Sequence, residues 1–471
     1  MSKLIPKAYK FRFYPQDDLK IILAKTFGCV RFVYNQTLDF SEKHYAQKDI
    51  IDNYKNLTGI DRVKFITGLK NTLEEDKDNP NYGKLKYPWL HEVTSIALQQ
   101  SVRHLNNAYD RFFQGQAGKP QFKSKRDNYH SFTITGKNSI HFHKDFNKPG
   151  SEGFHKFYIP KYNKPLKIKW GKSNKAGNKS TQRTFNHLAV SSVTISQNPS
   201  GQYFISFLVE ENIQPIQATN EKVSLDLGLK THAKVYDGKL DSEGKPTFHD
   251  YNLPDLLKAI DKKLRKSQRV LSKKQKGSKN SNKQRLKVAK LHQKRVNIMT
   301  DYYQKKSTQI VHENQIIILE DLGIKNMIRN RKLSRAIHNV AWSKFISMIE
   351  YKSKWHDRVI IKAHRFYPSS KTCSQCGHIY HGLSLKERAW TCDNCHAQHD
   401  RDENACLNLY NYNNHNINTK YSNNTAAGTA VNACGGSVRP KTSKLMLNKN
   451  NISKKSRAIN NFKSKDLSCF Q

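Results

Sequence analysis

Residues 5–14 (Ile-Pro-Lys-Ala-Tyr-Lys-Phe-Arg-Phe-Tyr) alternate apolar and basic side chains, which predicts a strand. At Asp17 the spacing changes. Ile22, Thr26, Cys29/Val30, Val33, Thr37 and Phe40 recur three to four apart, and helical spacing continues to about Phe113. Within it, 93–113 reads as a long amphipathic helix that stops before Gly115 and Gly118-Lys-Pro. Residues 120–215 return to short strands: Phe132-Thr-Ile-Thr, Phe157-Tyr-Ile-Pro, Leu166-Lys-Ile-Lys-Trp, Val193-Thr-Ile-Ser and Tyr203-Phe-Ile-Ser-Phe-Leu-Val. Turns rich in Gly, Asn and Pro separate them. A small β-barrel is expected, with the N-terminal strand as its first.

A third region opens at Glu221. Val223-Ser-Leu-Asp-Leu-Gly predicts a strand and His232-Ala-Lys-Val-Tyr-Asp-Gly its hairpin partner. Residues 255–300 are rich in Lys and Arg, with Asp255 and Asp261 as their acids. Leu256, Ile260 and Leu264 form one apolar stripe and Gly277 marks a turn, so a basic helical hairpin is predicted. Gln315-Ile-Ile-Ile-Leu-Glu320 is continuously apolar up to its final acid, as in a strand buried on both faces. A helix at 341–355, a strand at Val359-Ile-Ile-Lys and a helix beginning near Asp400 complete the pattern. The overall expectation is a multidomain α+β or α/β protein. Residues 411–471 hold ten Lys/Arg, one acid and no core periodicity, and are expected to be disordered.

Charge changes the picture most. The 471 residues carry 82 Lys+Arg against 38 Asp+Glu, a net charge of +44. Such a chain repels itself unless a polyanion neutralises it, and nucleic acid is the expected partner. No apolar run approaches the ~20 residues of a membrane span. The opening Met1-Ser-Lys-Leu-Ile-Pro has no core of signal-peptide length. No basic amphipathic segment carries the apolar face that membrane-surface binding uses. The expected location is the cytoplasm, in association with the nucleoid.

Two chemical constellations stand out. Cys373-x2-Cys376 and Cys392-x2-Cys395 are 15 residues apart, a four-thiolate zinc spacing. Two disulfides or a redox pair are the weaker readings, since a reducing compartment disfavours the first and no βαβ context supports the second. Gly377 follows its knuckle in the usual way; His396 follows the second and must accept a left-handed backbone or add a contact. The second constellation is acidic. Asp226 and Glu320 end predicted strands, and Asp402, two residues after Asp400, opens the last helix. Three carboxylates brought together repel one another unless hard divalent cations hold them. The alternative is helix capping for Asp400 or Asp402 and solvated strand ends for the others.

In this order the segments resemble the TnpB family, the OrfB proteins of insertion sequences. The resemblance rests on Ala8-Tyr-Lys-Phe-Arg-Phe-Tyr-Pro, Phe27-Gly-Cys-Val-Arg-Phe-Val-Tyr-Asn, Gly118-Lys-Pro-Gln-Phe-Lys, Leu225-Asp-Leu-Gly-Leu-Lys and Leu319-Glu-Asp-Leu. It continues through Ser369-Ser-Lys-Thr-Cys-Ser-Gln-Cys-Gly, Trp390-Thr-Cys-Asp-Asn-Cys and His399-Asp-Arg-Asp-Glu-Asn-Ala. It departs at Ser224, where Ile is common, at Cys406, where Ala is common, and at His396 for Gly.

The resemblance implies an RNA-guided DNA endonuclease. It implies a wedge-like β-barrel of 1–15 and 116–215 and a helical recognition lobe of 16–115. An RNase H-like (RuvC) mixed-sheet nuclease domain of 216–370 and 397–410 carries a zinc finger of 371–396. By motif position Asp226, Glu320 and Asp402 are the implied catalytic ligands of Mg²⁺, as two ions with Mn²⁺ as a substitute. Asp400 is held in reserve, and Asp321 is expected on the opposite sheet face. Zn²⁺ on Cys373, Cys376, Cys392 and Cys395 is expected to be structural, since four thiolates leave no open position. The implied partners are a guide RNA from the transposon end and double-stranded target DNA, with a separate transposase encoded nearby. A bound RNA accounts for the charge, and base pairing takes over sequence reading. Gln99, Gln100 and Arg103 are candidates to read a short flanking DNA motif, or else form a solvated helix face. A catalytically silent regulator of transposition and a strand-joining transposase are the competing functions.

Overall fold

The computed structural model describes residues 3–47, 57–127, 129–136, 140–144, 155–169, 190–214, 216–384 and 387–412. The expected disorder of 411–471 falls outside them, except for Asn411 and Tyr412. The chain opens with strand β1 (Lys3–Phe13) and helices α1 (Asp17–Ala46), α2 (Gly59–Asn71) and α3 (Ser95–Phe113). Strands β2 (His130–Thr135), β3 (His141–Lys144), β4 (His155–Tyr158), β5 (Ile168–Lys169), β6 (Val190–Gln197) and β7 (Tyr203–Ile213) follow. β1 pairs antiparallel with β7 along its whole length, from Lys3↔Ile213 to Phe13↔Tyr203. The first five-stranded sheet runs β2-β6-β7-β1-β5. The described strands of the expected barrel pair as an antiparallel sheet.

Its inner face and the helices share one core. Phe13, Phe132, Val193, Ile205 and Phe207 of the sheet meet Leu23, Phe27, Val30 and Val33 of α1 and Ala97, Leu98 and Val102 of α3. The alternation along β1 and the 3–4 spacing along α1 are thus two sides of the same buried interface.

The second half contributes β8 (Lys222–Asp226), β9 (Ala233–Leu240) and β10 (Pro246–Tyr251), then α4 (Leu256–Ser272) and α5 (Lys279–Glu313). After these come β11 (Ile316–Glu320), α6 (Ile324–Met327), α7 (Arg331–Val340), α8 (Trp342–Trp355) and β12 (Val359–Ala363). β13 (Ala389–Thr391), β14 (Gln398–Asp400) and α9 (Arg401–Tyr410) close the described chain. The basic hairpin is α4 and α5 about Gly277, but α5 runs on to Glu313 rather than ending near 300. β10 was not anticipated: Lys, Asp and Glu dominate the turn before it and mask its short alternation.

The second sheet runs β10-β9-β8-β11-β12. β9 is antiparallel to β8 and β10, whereas β8, β11 and β12 are mutually parallel. Both faces are covered, as parallel strands require. Val223, Leu225, Ile317 and Leu319 face Trp342, Phe345 and Ile349 of α8 and Tyr303 and Ile310 of α5. On the other face, Ile318 and Ala363 meet Leu409 of α9. Among the described residues no helix is long and apolar enough to cross a membrane.

Gly238 of β9 has φ +84° and lies where the β9–β10 register shifts, so the bulge needs a residue without a side chain. A Cβ there would collide with Tyr410 Oη at the end of α9. Gly238→Ala is therefore expected to cost about 2–4 kcal/mol, combining a positive φ with overpacking. Gly244→Ala, with φ +77° and open space around it, should show the smaller backbone cost alone. Urea denaturation midpoints of the two variants provide the measurement.

Candidate active site

Three elements carry the three predicted acids to one place. The parallel ladder of β8 and β11 runs from Ile316↔Lys222 to Leu319↔Leu225. One further step sets Glu320 beside Asp226 on the same face, about 4.8 Å apart at the backbone. α9 lies antiparallel across β8. Lys222 Nζ sits 3.8 Å from the Tyr410 ring centroid, and Ser224 Oγ donates to the Cys406 carbonyl at 2.8 Å. Each level advances two residues along the strand (about 6.6 Å) and four along the helix (about 6 Å). The same spacing carries Asp402 toward Asp226, within range of its charge.

The electrostatics agree with this placement. Asp226 is half-buried, and its pKa is pushed up to about 8, first by desolvation and then by the charges of Glu320 and Asp402. Burial also raises Glu320, against a hydrogen bond from Ser369 Oγ to its Oε1 at 2.5 Å. Arg388 Nη1 donates to both carboxylate oxygens of Asp402, at 3.0 and 2.8 Å, and Arg401 Nε to one at 3.3 Å. Asp400 is the helix cap: its Oδ1 accepts from the amides of Asp402 and Glu403 at 2.9 and 3.1 Å. This is the capping reading that the sequence offered for Asp400. Asp321 is paired with Arg365 at 2.8 Å, outside the trio.

The four cysteines also converge, their sulfurs all lying within 4.8 Å of one another. Cys373–Cys395 and Cys376–Cys392 are 3.5 and 3.6 Å apart. A tetrahedron of 2.3 Å metal–sulfur bonds has edges of about 3.8 Å, so the cage fits Zn²⁺. Among the described residues this is the one group of three or more ligand side chains drawn so close. The carboxylates stand wider, as groups that would share hydrated cations do. The two knuckles are built alike: Gly377 N donates to Cys373 O and His396 N to Cys392 O, both at 2.9 Å. His396 meets the demand with φ 58°, against 76° at Gly377.

Sequence reasoning missed the groups joining the two centres. Asn404 Oδ1 accepts from Ser374 N at 2.9 Å, and its amide donates to Thr372 O at 2.7 Å. Asn408 donates to Ser369 O at 2.8 Å and to Thr372 O at 2.6 Å. His399 Nε2 is 3.0 Å from Cys373 Sγ. The Asp-x-Asn-Ala and Ser-Ser-Lys-Thr-Cys strings held that signal, whereas nothing in the sequence singled out Arg388. Gln100 needs a correction. It is buried and donates to Thr135 Oγ1 at 2.8 Å, tying α3 to β2, so it is withdrawn from any DNA-reading surface. Gln99 and Arg103, four apart, remain on the exposed face.

Comparison with known proteins fits this geometry. A family profile described as "Probable transposase" (OrfB_IS605) matches residues 205–331, a "Cas12f1-like, TNB domain" profile 342–409 and a "Helix-turn-helix domain" profile 1–49. The last region is here a strand followed by the single helix α1. A Streptomyces pristinaespiralis protein named "Putative RNA-guided DNA endonuclease" is 32% identical, over 93% of this chain and 94% of that one. InsQ of Escherichia coli (strain K12), similarly named, is 26% identical over 92% and 95%. A solved Cas12f1–sgRNA–target DNA complex is similar at a TM-score of 0.49 and 14% identity, over 87% of this chain and 99% of that one, too distant to carry an argument. The profile over 205–331 is that of an insertion-sequence protein group. The chain belongs to the TnpB family, the OrfB group of RNA-guided DNA endonucleases.

The raised Asp226 has a consequence for stability. Without added divalent cations the folded carboxyl keeps its proton up to about 8, whereas the unfolded chain loses it near 4. The folded state then binds more protons, so stability falls as pH rises across that window and levels off above it. Asp226→Asn removes the contribution. Its thermal midpoint, relative to the native chain, is expected to climb between about pH 4 and pH 8; a flat difference in melting scans would contradict the charge crowding.

Proposed function

We propose that this chain is a transposon-associated, RNA-guided DNA endonuclease that cuts guide-matched duplex DNA by divalent-metal-dependent phosphodiester hydrolysis. The observation that carries this reading is the meeting of Asp226, Glu320 and Asp402, from two parallel strands and one helix, in an otherwise strongly basic chain. Sheet order supports a RuvC-like, RNase H-type core, with one antiparallel strand pair beside three parallel strands. We assign Asp226, Glu320 and Asp402 as the Mg²⁺ ligands and the four cysteines as a structural Zn²⁺ site. When bound, paired divalent ions activate a water and stabilise the leaving oxygen.

The chain's own residues prepare that chemistry. Ser369 fixes one oxygen of Glu320. Arg388 and Arg401 hold Asp402 in one rotamer and add positive charge where a phosphate would approach. Asp400 anchors the first turn of α9, and with it Asp402. The α4–α5 hairpin supplies a basic face for RNA or heteroduplex backbone. The first sheet with α1–α3 is the wedge and recognition part of this reading, and Gln99 and Arg103 its base-reading candidates.

The test is direct. The chain is expressed with its native transposon end, the guide portion of the bound RNA is reprogrammed, and matched and mismatched plasmids are offered with Mg²⁺. Matched plasmids alone should be cut on both strands, and Asp226→Ala should abolish cutting while RNA stays bound. Cutting that ignores the RNA would favour a transposase, and binding without cutting a silent regulator. In the same assay Gln99→Ala and Arg103→Ala should each relax flanking-motif choice by about 1–3 kcal/mol, read from cleavage of a randomised flank.

A further inference from the structure

Phe366 is 82% exposed, more than any other large apolar side chain described. Single exposed apolar residues are ordinary on protein surfaces. The mounting of this one is not. Tyr367 N donates to His364 O at 2.8 Å, closing a turn with Arg365 and Phe366 at its tip. Both flanks of the turn are tied down. His364 N donates to Tyr412 Oη at 3.1 Å, and Tyr367 stacks edge-on against Tyr412 with centroids 4.8 Å apart. Arg365 is held by Asp321. The Phe366 ring meets the His364 ring at 5.7 Å and 56°.

The turn stands at the rim of the acidic site. Ala363, where β12 ends, is the ladder partner of Glu320, and Ser369 donates to Glu320. Chain reach places Phe366 within about 15 Å of Glu320. A cavity of ≈ 430 Å³ adjoins the turn through Arg365, with Glu320, Asp321 and Lys362 also in its lining. An aromatic ring presented on a tied turn at the rim of the site can hold single-stranded nucleic acid, through stacking that any base satisfies.

We propose that Phe366 is a stacking platform for an unpaired base of the DNA strand being cut, seating that strand beside Asp226 and Glu320. The inference rests on the nuclease reading and adds a binding site to it. In single-turnover cleavage by the RNA-loaded protein, Phe366→Ala should slow cutting by about five- to a hundredfold, the range for loss of one stacked base. The thermal midpoint should be unchanged. Phe366→Trp should restore the rate, and Phe366→Leu, apolar without a π face, should not.

A second arm does not depend on cutting. In the Asp226→Ala complex, 2-aminopurine placed in the DNA strand a few nucleotides from the cut should be quenched, and Phe366→Ala should release the quench. Equal rates and equal quenching in Phe366→Ala overturn the proposal, as does quenching of a probe in the guide RNA in place of the DNA. A native complex that binds matched DNA without cutting sinks the nuclease reading instead, and the fluorescence then decides on Phe366.

Discussion

A hydroxyl aimed at a helix carbonyl sets the geometry of this protein. The Ser224–Cys406 hydrogen bond fixes how α9 lies on β8, and with it how Asp402 meets Asp226. Both residues are fully buried. A buried hydroxyl without a partner would be costly, so the bond also resolves the polarity of Ser224 in an apolar interface. The small serine side chain lets the helix backbone come close enough to accept the bond, while the Cys406 thiol turns to the Lys234 carbonyl at 3.3 Å.

The charge distribution works on two scales. Over the whole chain the excess is +44, spread over exposed Lys and Arg on α4, α5 and the N-terminal elements. At the centre of the second sheet, desolvation and then the charges of Glu320 and Asp402 let Asp226 hold its proton well beyond the usual carboxylate range. The general positive field draws in a polyanion without regard to sequence. The local negative focus is destabilising until a cation arrives, the kind of local cost that functional sites carry on an otherwise stable fold.

Much of the second sheet was legible because its strands are short, apolar and bounded by acids. β8 and β11 fell where the patterns placed them, as did the start of α9 and the two knuckles, including the left-handed backbone at His396. What escaped depends on contacts between residues far apart in the chain. Gln99 and Gln100 are neighbours in sequence, yet 100° of helical rotation separates the solvent face from the side that meets Thr135. Ser369, Asn404 and Asn408 look like ordinary loop and helix polars until the fold brings them to Glu320 and the first knuckle. Capping by Asp400 and pairing by Asp402 became distinguishable only when the helix amides and Arg388 were in place.

Of the four clustered thiols, Cys373 and Cys392 are buried, whereas Cys376 and Cys395 are exposed. The segment they hold is stitched by Asn404 and Asn408 to α9, and by Ser369 to Glu320. An oxidant reaching the outer pair would loosen both anchors of the acidic trio at once. The N-terminal sheet and its helices, which take no part in that stitching, would keep their shape. Oxidation at the knuckles would in this way reach the acidic trio through the few side-chain amides that tie the segment to α9.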